Sequence, residues 1–187
     1  ITYGLDTSLN AGAWLYFQAP VCINSNSISN ELKLTLYQVY TNELRRLHLG
    51  QAMDIYWHRN PSVFPTAEEY DSMVKWKIGC IAGGCSVEEA TKIGEIAAHI
   101  GKGFQVIDDV INLTTGNVGK KRGDDIVEGK KSLPVILHTQ LRPQDKQQIS
   151  DYMAQAAGEG IDSPAVENCI KLLESSGCIE AAAKEGI

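Results

Sequence analysis

The residues expected to do chemistry are acidic and amide side chains set inside otherwise apolar helical patterns. The run GKGFQVIDDVINL, residues 101–113, carries Gln105, Asp108, Asp109 and Asn112. Gln105 to Asp109 and Asp108 to Asn112 are i,i+4 pairs, so on a helix they project together. Two adjacent carboxylates within an apolar helix are costly unless something compensates them. A divalent cation is a natural compensation. Carboxylate oxygens suit Mg²⁺, which keeps much of its water and bridges protein carboxylates to substrate phosphates. The alternative is that Asp108 and Asp109 face solvent or meet lysines of the following loop. Further upstream, Leu36, Tyr40, Leu44 and Leu47 step at helical spacing into Gln51 and Asp54, a second place where polar groups enter an apolar stripe.

The loop GNVGKKRGDDIVEGKK, residues 116–131, supplies the opposite charge through Lys120, Lys121, Arg122, Lys130 and Lys131. Such cations neutralise a polyphosphate held by metal from the aspartate side. Lys77 is a further candidate. The spacing is not that of a P-loop, GxxxxGK followed by Ser or Thr. The alternative is an exposed loop of mixed charge. His48, His58, His99 and His138 are isolated and read as surface or packing residues. Trp14, Trp57 and Trp76 read as core or interface aromatics. The five cysteines form no CxxC pair, which fits reduced thiols and argues against zinc.

The elements that must position these groups are helical. Gly4 to Gln18 forms a short helix, and Pro20 with the Asn24–Ser27 run interrupts it. Asn30 caps a long helix that ends before the Arg59–Pro65 loop. Thr66 with Glu69 makes a capping box for the next helix. Ser86 with Glu89 makes another, opening a helix that reaches about Leu113. Its stripe of Ile93, Ile96, Ile100, Phe104, Ile107 and Ile111, with small residues opposite, places it inside a bundle. Residues 116–131 are a loop. Ser132–Gln140 is a short apolar helix with Pro134 in its first turn. Another helix runs from Pro143 through Met153. Ser163-Pro164 opens a last helix, broken near Gly177. No alternating strand pattern occurs, so the fold class is all-α.

Composition agrees. In 187 residues, 43% hydrophobic and 21% charged content supports a folded core. A net charge of −6 without a basic tail makes nucleic acid an improbable partner. No apolar run approaches the roughly 18 residues of a membrane span. The first residues lack the basic start of a signal peptide. They also lack an initiator Met, so Ile1 is not expected to be a natural N-terminus.

In order, GQAMD, FQVIDD and GKKRGDDIVEGKKSLP resemble the trans-isoprenyl diphosphate synthase family, most closely its geranylgeranyl and farnesyl diphosphate synthases. The similarity covers nearly the whole chain and corresponds to the C-terminal two thirds of a member. The resemblance implies an isoprenoid synthase helical bundle, incomplete in these residues. It implies head-to-tail condensation of isopentenyl diphosphate with an allylic prenyl diphosphate, and several Mg²⁺ ions in the liganded site. By the same resemblance Asp108, Asp109 and Asn112 hold metal against the allylic diphosphate, and Gln105 sits beside the reacting end. Gln51 and Asp54 complete the metal and water network. Lys77, Lys121 and Lys130 contact diphosphate, and Asp125 is the aspartate of the glycine loop. A homodimer in the cytoplasm is also implied.

Three departures matter. The family's first aspartate-rich motif is missing. Lys77-Ile78 stands where members have a lysine–threonine pair, and about a helix of residues is absent near 79–84. The chain is therefore read as a single domain, 1–187, drawn from a longer polypeptide. A catalytically incomplete partner of an active synthase and a class I terpene cyclase are the alternatives. The lysine–glycine–aspartate loop, and the absence of a cyclase asparagine–serine–glutamate motif, favour elongation over cyclisation.

Overall fold

The computed structural model describes residues 4–25, 29–78, 87–116, 119 and 121–187. Every regular element among them is helical. Helix α1, Leu5–Gln18, runs into a 3₁₀ turn at Ala19–Asn24 that carries Pro20 in its first turn. Helix α2, Asn30–Arg59, is about 45 Å long at 1.5 Å per residue. Its cap is Ser29, one residue before the expected Asn30: the Ser29 Oγ accepts from the Leu32 amide at 3.2 Å. Helix α3, Ala67–Ile78, opens on the expected capping box in both directions. The Glu69 amide donates to Thr66 Oγ1 at 3.1 Å, and the Thr66 amide donates to a Glu69 carboxylate oxygen at 2.8 Å. Helix α4 is Val87–Thr114. The Ser86–Glu89 box and the segment near 79–84 lie outside the described residues.

Helix α5, Asp124–Val127, is a single turn within what the sequence presents as loop. Helix α6, Leu133–Leu141, has Pro134 in its first turn, where a missing N–H costs nothing. Pro143–Asp145 forms a 3₁₀ turn, and the helix expected from Pro143 to Met153 is α7, Lys146–Glu159. Helix α8, Pro164–Glu174, is capped by Ser163, whose Oγ accepts from the Ala165 amide. Gly177, at φ 69°, turns the chain into α9, Cys178–Glu185.

Helix α4 separates two apolar clusters. Leu113 packs with Ile126, Met153, Ile170 and Leu173 on one side, and Val106 with Trp57, Tyr70, Val74 and Leu133 on the other. The acidic turn, residues 108–112, lies between these anchors. Where the side chains of α4 are described, its buried positions are Gly101, Val106, Asp109, Asn112 and Leu113 rather than the isoleucine stripe read from the sequence. Ile96, Ile100 and Phe104 of that stripe are 59%, 68% and 74% exposed. The period was read correctly but the face was not, because α4 presents two apolar faces and the described helices pack on only one. Helix α1 buries none of its residues. It lies along α2 and leaves between them an apolar cavity of about 550 Å³ lined by Leu9, Ala13, Phe17, Tyr40 and Leu44.

Candidate active site

Asp109 is the centre of the site. It is fully buried, and four donors converge on its two carboxylate oxygens. Tyr70 Oη donates to Oδ2 at 2.7 Å and the Leu133 amide donates to Oδ2 at 3.1 Å. Gln105 Nε2 donates to Oδ1 at 2.9 Å, and Lys130 Nζ lies 2.8 Å from Oδ1. A carboxylate offers about four lone-pair positions, so these donors satisfy it. Each comes from a different part of the chain: α3, the first turn of α6, α4 itself, and Lys130 near the end of the glycine loop. The Leu133 contact has a simple origin. The first amides of a helix lack internal acceptors and carry the positive end of its dipole, so a carboxylate belongs there.

Lys130 also meets Asp125 Oδ2 at 2.9 Å. Burial alone would lower the ammonium's pKa, but attraction to Asp109 and Asp125 outweighs burial and raises it, so Lys130 stays protonated. Burial raises the pKa of Asp125, and the Lys130 charge partly offsets this. The Tyr70 phenol is pushed up by burial, then by Asp109, and further by Asp54 and Asp71, which makes it a permanent donor. Asn112 is buried behind this network. Its side-chain oxygen accepts from the Asp125 amide at 3.2 Å, and its carbonyl accepts from the Gly123 amide at 2.8 Å. The acidic turn of α4 therefore holds both the lysine and the loop that delivers it.

The structure brings together Gln105, Asp109, Asn112, Asp125 and Lys130 of the residues singled out in the sequence. Asp108, one position around the helix, is half-buried. Asp54 is buried on α2, with His58 Nε2 3.2 Å from its Oδ1. Gln51, one turn earlier, is exposed. Lys121 lies apart from the cluster: its Nζ pairs with Asp162 at 2.9 Å, with the two side chains 65% and 86% exposed. Lys77 sits in the last turn of α3; its side chain, like the whole of Lys120, lies outside the described residues.

Sequence reasoning missed Tyr70 and the Leu133 amide. A signal for the first was present: Tyr70 and Lys77 are seven residues apart, on one face of α3, and a buried tyrosine needs a partner for its hydroxyl. The amide had no side-chain signal at all.

The fit to Mg²⁺ divides the two adjacent carboxylates. Among the described residues no group of three or more His, Cys, Asp or Glu side chains converges as a ready-made metal site. Mg²⁺ does not require one, since it binds through one or two carboxylates together with water and substrate phosphates. Asp108 suits that mode. The oxygens of Asp109 are committed to protein donors, including a loop lysine, as the alternative reading of the sequence had it.

Lys131 points away from the site and into the C-terminal core. It is 2% exposed, with Nζ 3.2 Å from the Gly129 carbonyl, 3.3 Å from Met153 Sδ and 4.9 Å from the centre of the Phe64 ring. Burial pushes its pKa down to about 8. Between that value and the ordinary 10.5 the unfolded chain binds the proton and the folded chain does not, so stability rises with pH through this window. Below about 8 the full cost of the buried charge is present, about 3 kcal/mol from the size of the shift. Lys131→Met is therefore expected to stabilise the protein at pH 7 by up to about 3 kcal/mol. Urea unfolding should show that advantage shrinking as the pH rises from about 8 towards 10.5.

An all-helical bundle with an acidic turn on one central helix, a buried lysine–aspartate network behind it and a basic glycine loop defines the class: an isoprenoid synthase fold. The sequence pattern of the polyprenyl synthetase family matches residues 1–172, and the chain belongs to that family. It is 33% identical over 186 residues to a geranylgeranyl pyrophosphate synthase of Neocamarosporium betae, covering 95% of this chain and 51% of that protein. It is 32% identical over 191 residues to a geranylgeranyl pyrophosphate synthase of Gibberella zeae, covering 95% of this chain and 48% of the relative. The crystal structure of geranylgeranyl pyrophosphate synthetase from Pyrococcus horikoshii superposes with a TM-score of 0.81 at 26% identity, over 99% of this chain and 58% of that one. A polyprenyl synthetase from Streptomyces coelicolor shares the fold, with a TM-score of 0.81 at 21% identity, over 98% of this chain and 58% of that one. The chain spans about half the length of the curated relatives it matches.

Proposed function

We propose that this chain provides the acidic-turn and lysine-loop half of a Mg²⁺-dependent prenyltransferase. That enzyme would join isopentenyl diphosphate to an allylic prenyl diphosphate, giving geranylgeranyl or farnesyl diphosphate. The observation that carries the reading is the saturated Asp109–Lys130–Asp125 network directly behind the half-buried Asp108, in a member of the polyprenyl synthetase family.

In this reading Mg²⁺ would be held by Asp108 and would supply Lewis-acid stabilisation of the departing diphosphate. Asp109 and Asn112 serve behind it. Asp109 fixes the Lys130 ammonium, and Asn112 fixes the loop. Lys130, Lys121 and Lys77 offset the negative charge that grows as the allylic C–O bond breaks. Gln105, oriented by Asp109, presents its amide beside the forming cation. Asp54 and Gln51 order water and charge on the facing helix. The double bond of isopentenyl diphosphate attacks the allylic carbon, a new C–C bond forms, and a proton leaves to the released diphosphate. Apolar walls keep water from the cation. The cavity between α1 and α2 has room for a prenyl chain and is reached about 15 Å along α2 from Asp54, ten residues from Leu44.

The test is incorporation of labelled isopentenyl diphosphate into a longer linear prenyl diphosphate by the full-length protein. No product with any allylic primer, or a cyclic hydrocarbon, would overturn the reading. The resemblance also leads us to propose a homodimer in the cytoplasm. Leu5, Leu9, Trp14 and Phe17 of α1 are all more than half exposed, so this helix carries apolar surface that the described helices leave uncovered, which supports pairing through α1. Sedimentation of the full-length protein should give twice its chain mass; a monomer at micromolar concentration would contradict the dimer.

A further inference from the structure

Arg122, one of the loop cations read from the sequence as facing a polyphosphate, is turned instead to protein acceptors, and its guanidinium reaches two helices at once. Nε donates to the Leu113 carbonyl at 2.9 Å, Nη1 meets Glu167 at 2.5 Å, and Nη2 meets Glu174 at 3.0 Å. Leu113 lies in the last turn of α4, whose carbonyls have no partner within the helix and where a cation is favoured. Glu167 and Glu174 are seven residues apart on α8, so they share a face. Arginine reaches the carbonyl and the two carboxylates through three separate nitrogens of one rigid plane, whereas lysine has only a single nitrogen from which to meet all three.

The surrounding backbone closes the same joint. The Gly123 amide donates to the Asn112 carbonyl at 2.8 Å, and the Asp124 amide donates to the Lys121 carbonyl at 3.3 Å. Gly123 has φ +89°, and a Cβ there would lie 2.4 Å from Val166 Cγ1, so the chain sits flush on α8 at a position only glycine fits. Residues 112–113 and 122–125 thus form a closed stem. The segment between them carries Lys120 and Lys121. The Lys121–Asp162 pair at its exposed end is solvated and weak, and a more highly charged anion can exchange for Asp162.

We propose that Arg122 is a positioning residue for diphosphate binding: braced by Glu167 and Glu174, it fixes the base of the lysine loop and so sets where Lys121 meets the diphosphate. The inference rests on the diphosphate-binding reading of the site. Its effect passes through Lys121, and its partners lie on a helix to which the proposed chemistry assigns no residue.

The test is calorimetric titration of magnesium pyrophosphate into the full-length protein, at a temperature well below the unfolding midpoint of every variant. Arg122→Ala, and Glu167→Gln with Glu174→Gln, should each weaken binding about tenfold, short of the roughly 100-fold loss that misplacing a site by about 1 Å can cause. Arg122→Lys should recover part of that loss. Asp162→Asn frees Lys121 and should tighten binding about twofold in the wild-type background, the scale of a weak surface pair. That gain should vanish in the Arg122→Ala background, a coupling that a merely stabilising role for Arg122 would not produce. Wild-type affinity in Arg122→Ala, or an undiminished Asp162→Asn gain in that background, overturns the proposal. Failure of the wild-type protein to bind pyrophosphate overturns the diphosphate reading and this inference with it.

Discussion

Asp109→Asn is expected to destabilise the protein by about 3–5 kcal/mol, the range for removing one partner of a buried ion pair. Both carboxylate oxygens of Asp109 accept from two donors each. An amide nitrogen at either position would face two donors instead of accepting from them. Rotation of the side chain cannot relieve this, because the opposite oxygen is equally committed. The Lys130 ammonium would keep Asp125 as its one carboxylate partner while remaining buried. In a chain of this size the loss corresponds to a fall in unfolding temperature of about 10 °C. Differential scanning calorimetry would measure it directly. An unfolding temperature within a degree or two of wild type would show that the four-donor arrangement does not hold the acidic turn together.

Asp108→Ala is expected to do the reverse, leaving the fold in place and removing the chemistry. Asp108 is half-buried, with no share in the four contacts that hold its neighbour. If it carries metal against the diphosphate, its loss removes about 3–4 kcal/mol of charge stabilisation in the transition state, and turnover should fall by about 100- to 1000-fold. The unfolding temperature should change little. Steady-state incorporation of labelled isopentenyl diphosphate by the full-length protein checks the first part, and near-normal turnover with unchanged Mg²⁺ dependence would remove Asp108 from the proposed mechanism. The two variants alter adjacent residues of the same type, and their expected consequences are opposite.

This division of labour was only half legible in the sequence. The i,i+4 spacing of Gln105 with Asp109 and of Asp108 with Asn112 marked the turn, because helical period alone decides which side chains project together. The capping box at Thr66 and Glu69 was readable for a similar reason: both halves of its hydrogen bonding lie within four residues. Which aspartate turns inward depends on what packs against α4. That is set by Tyr70 and Leu133, 39 and 24 residues away in sequence. The isoleucine stripe of α4 misled for the same reason. A helix apolar on two sides does not announce which side the rest of the chain will cover. The single turn of α5 also escaped notice, since its Asp125 amide and the Gly123 amide that precedes it are held by Asn112 from another helix, which no local pattern announces. Lys121 was grouped with Lys130 by charge and proximity in the loop, yet the fold buries one at the acidic turn and leaves the other on the surface with Asp162.

The central claim is that Asp108 faces the ligand while Asp109 holds the lysine behind it. Thermal unfolding of wild type, Asp108→Asn and Asp109→Asn, each with and without magnesium pyrophosphate, tests it in one experiment. A ligand that binds only the folded state stabilises it by RT ln(1 + L/Kd), with L the free ligand concentration, and so raises the unfolding temperature. The expected result is an Asp108→Asn variant that unfolds like wild type without ligand and gains nothing from it, beside an Asp109→Asn variant that unfolds about 10 °C lower from the start. An Asp108→Asn variant that keeps the full ligand-induced rise, or one that falls as far as Asp109→Asn, would contradict the account.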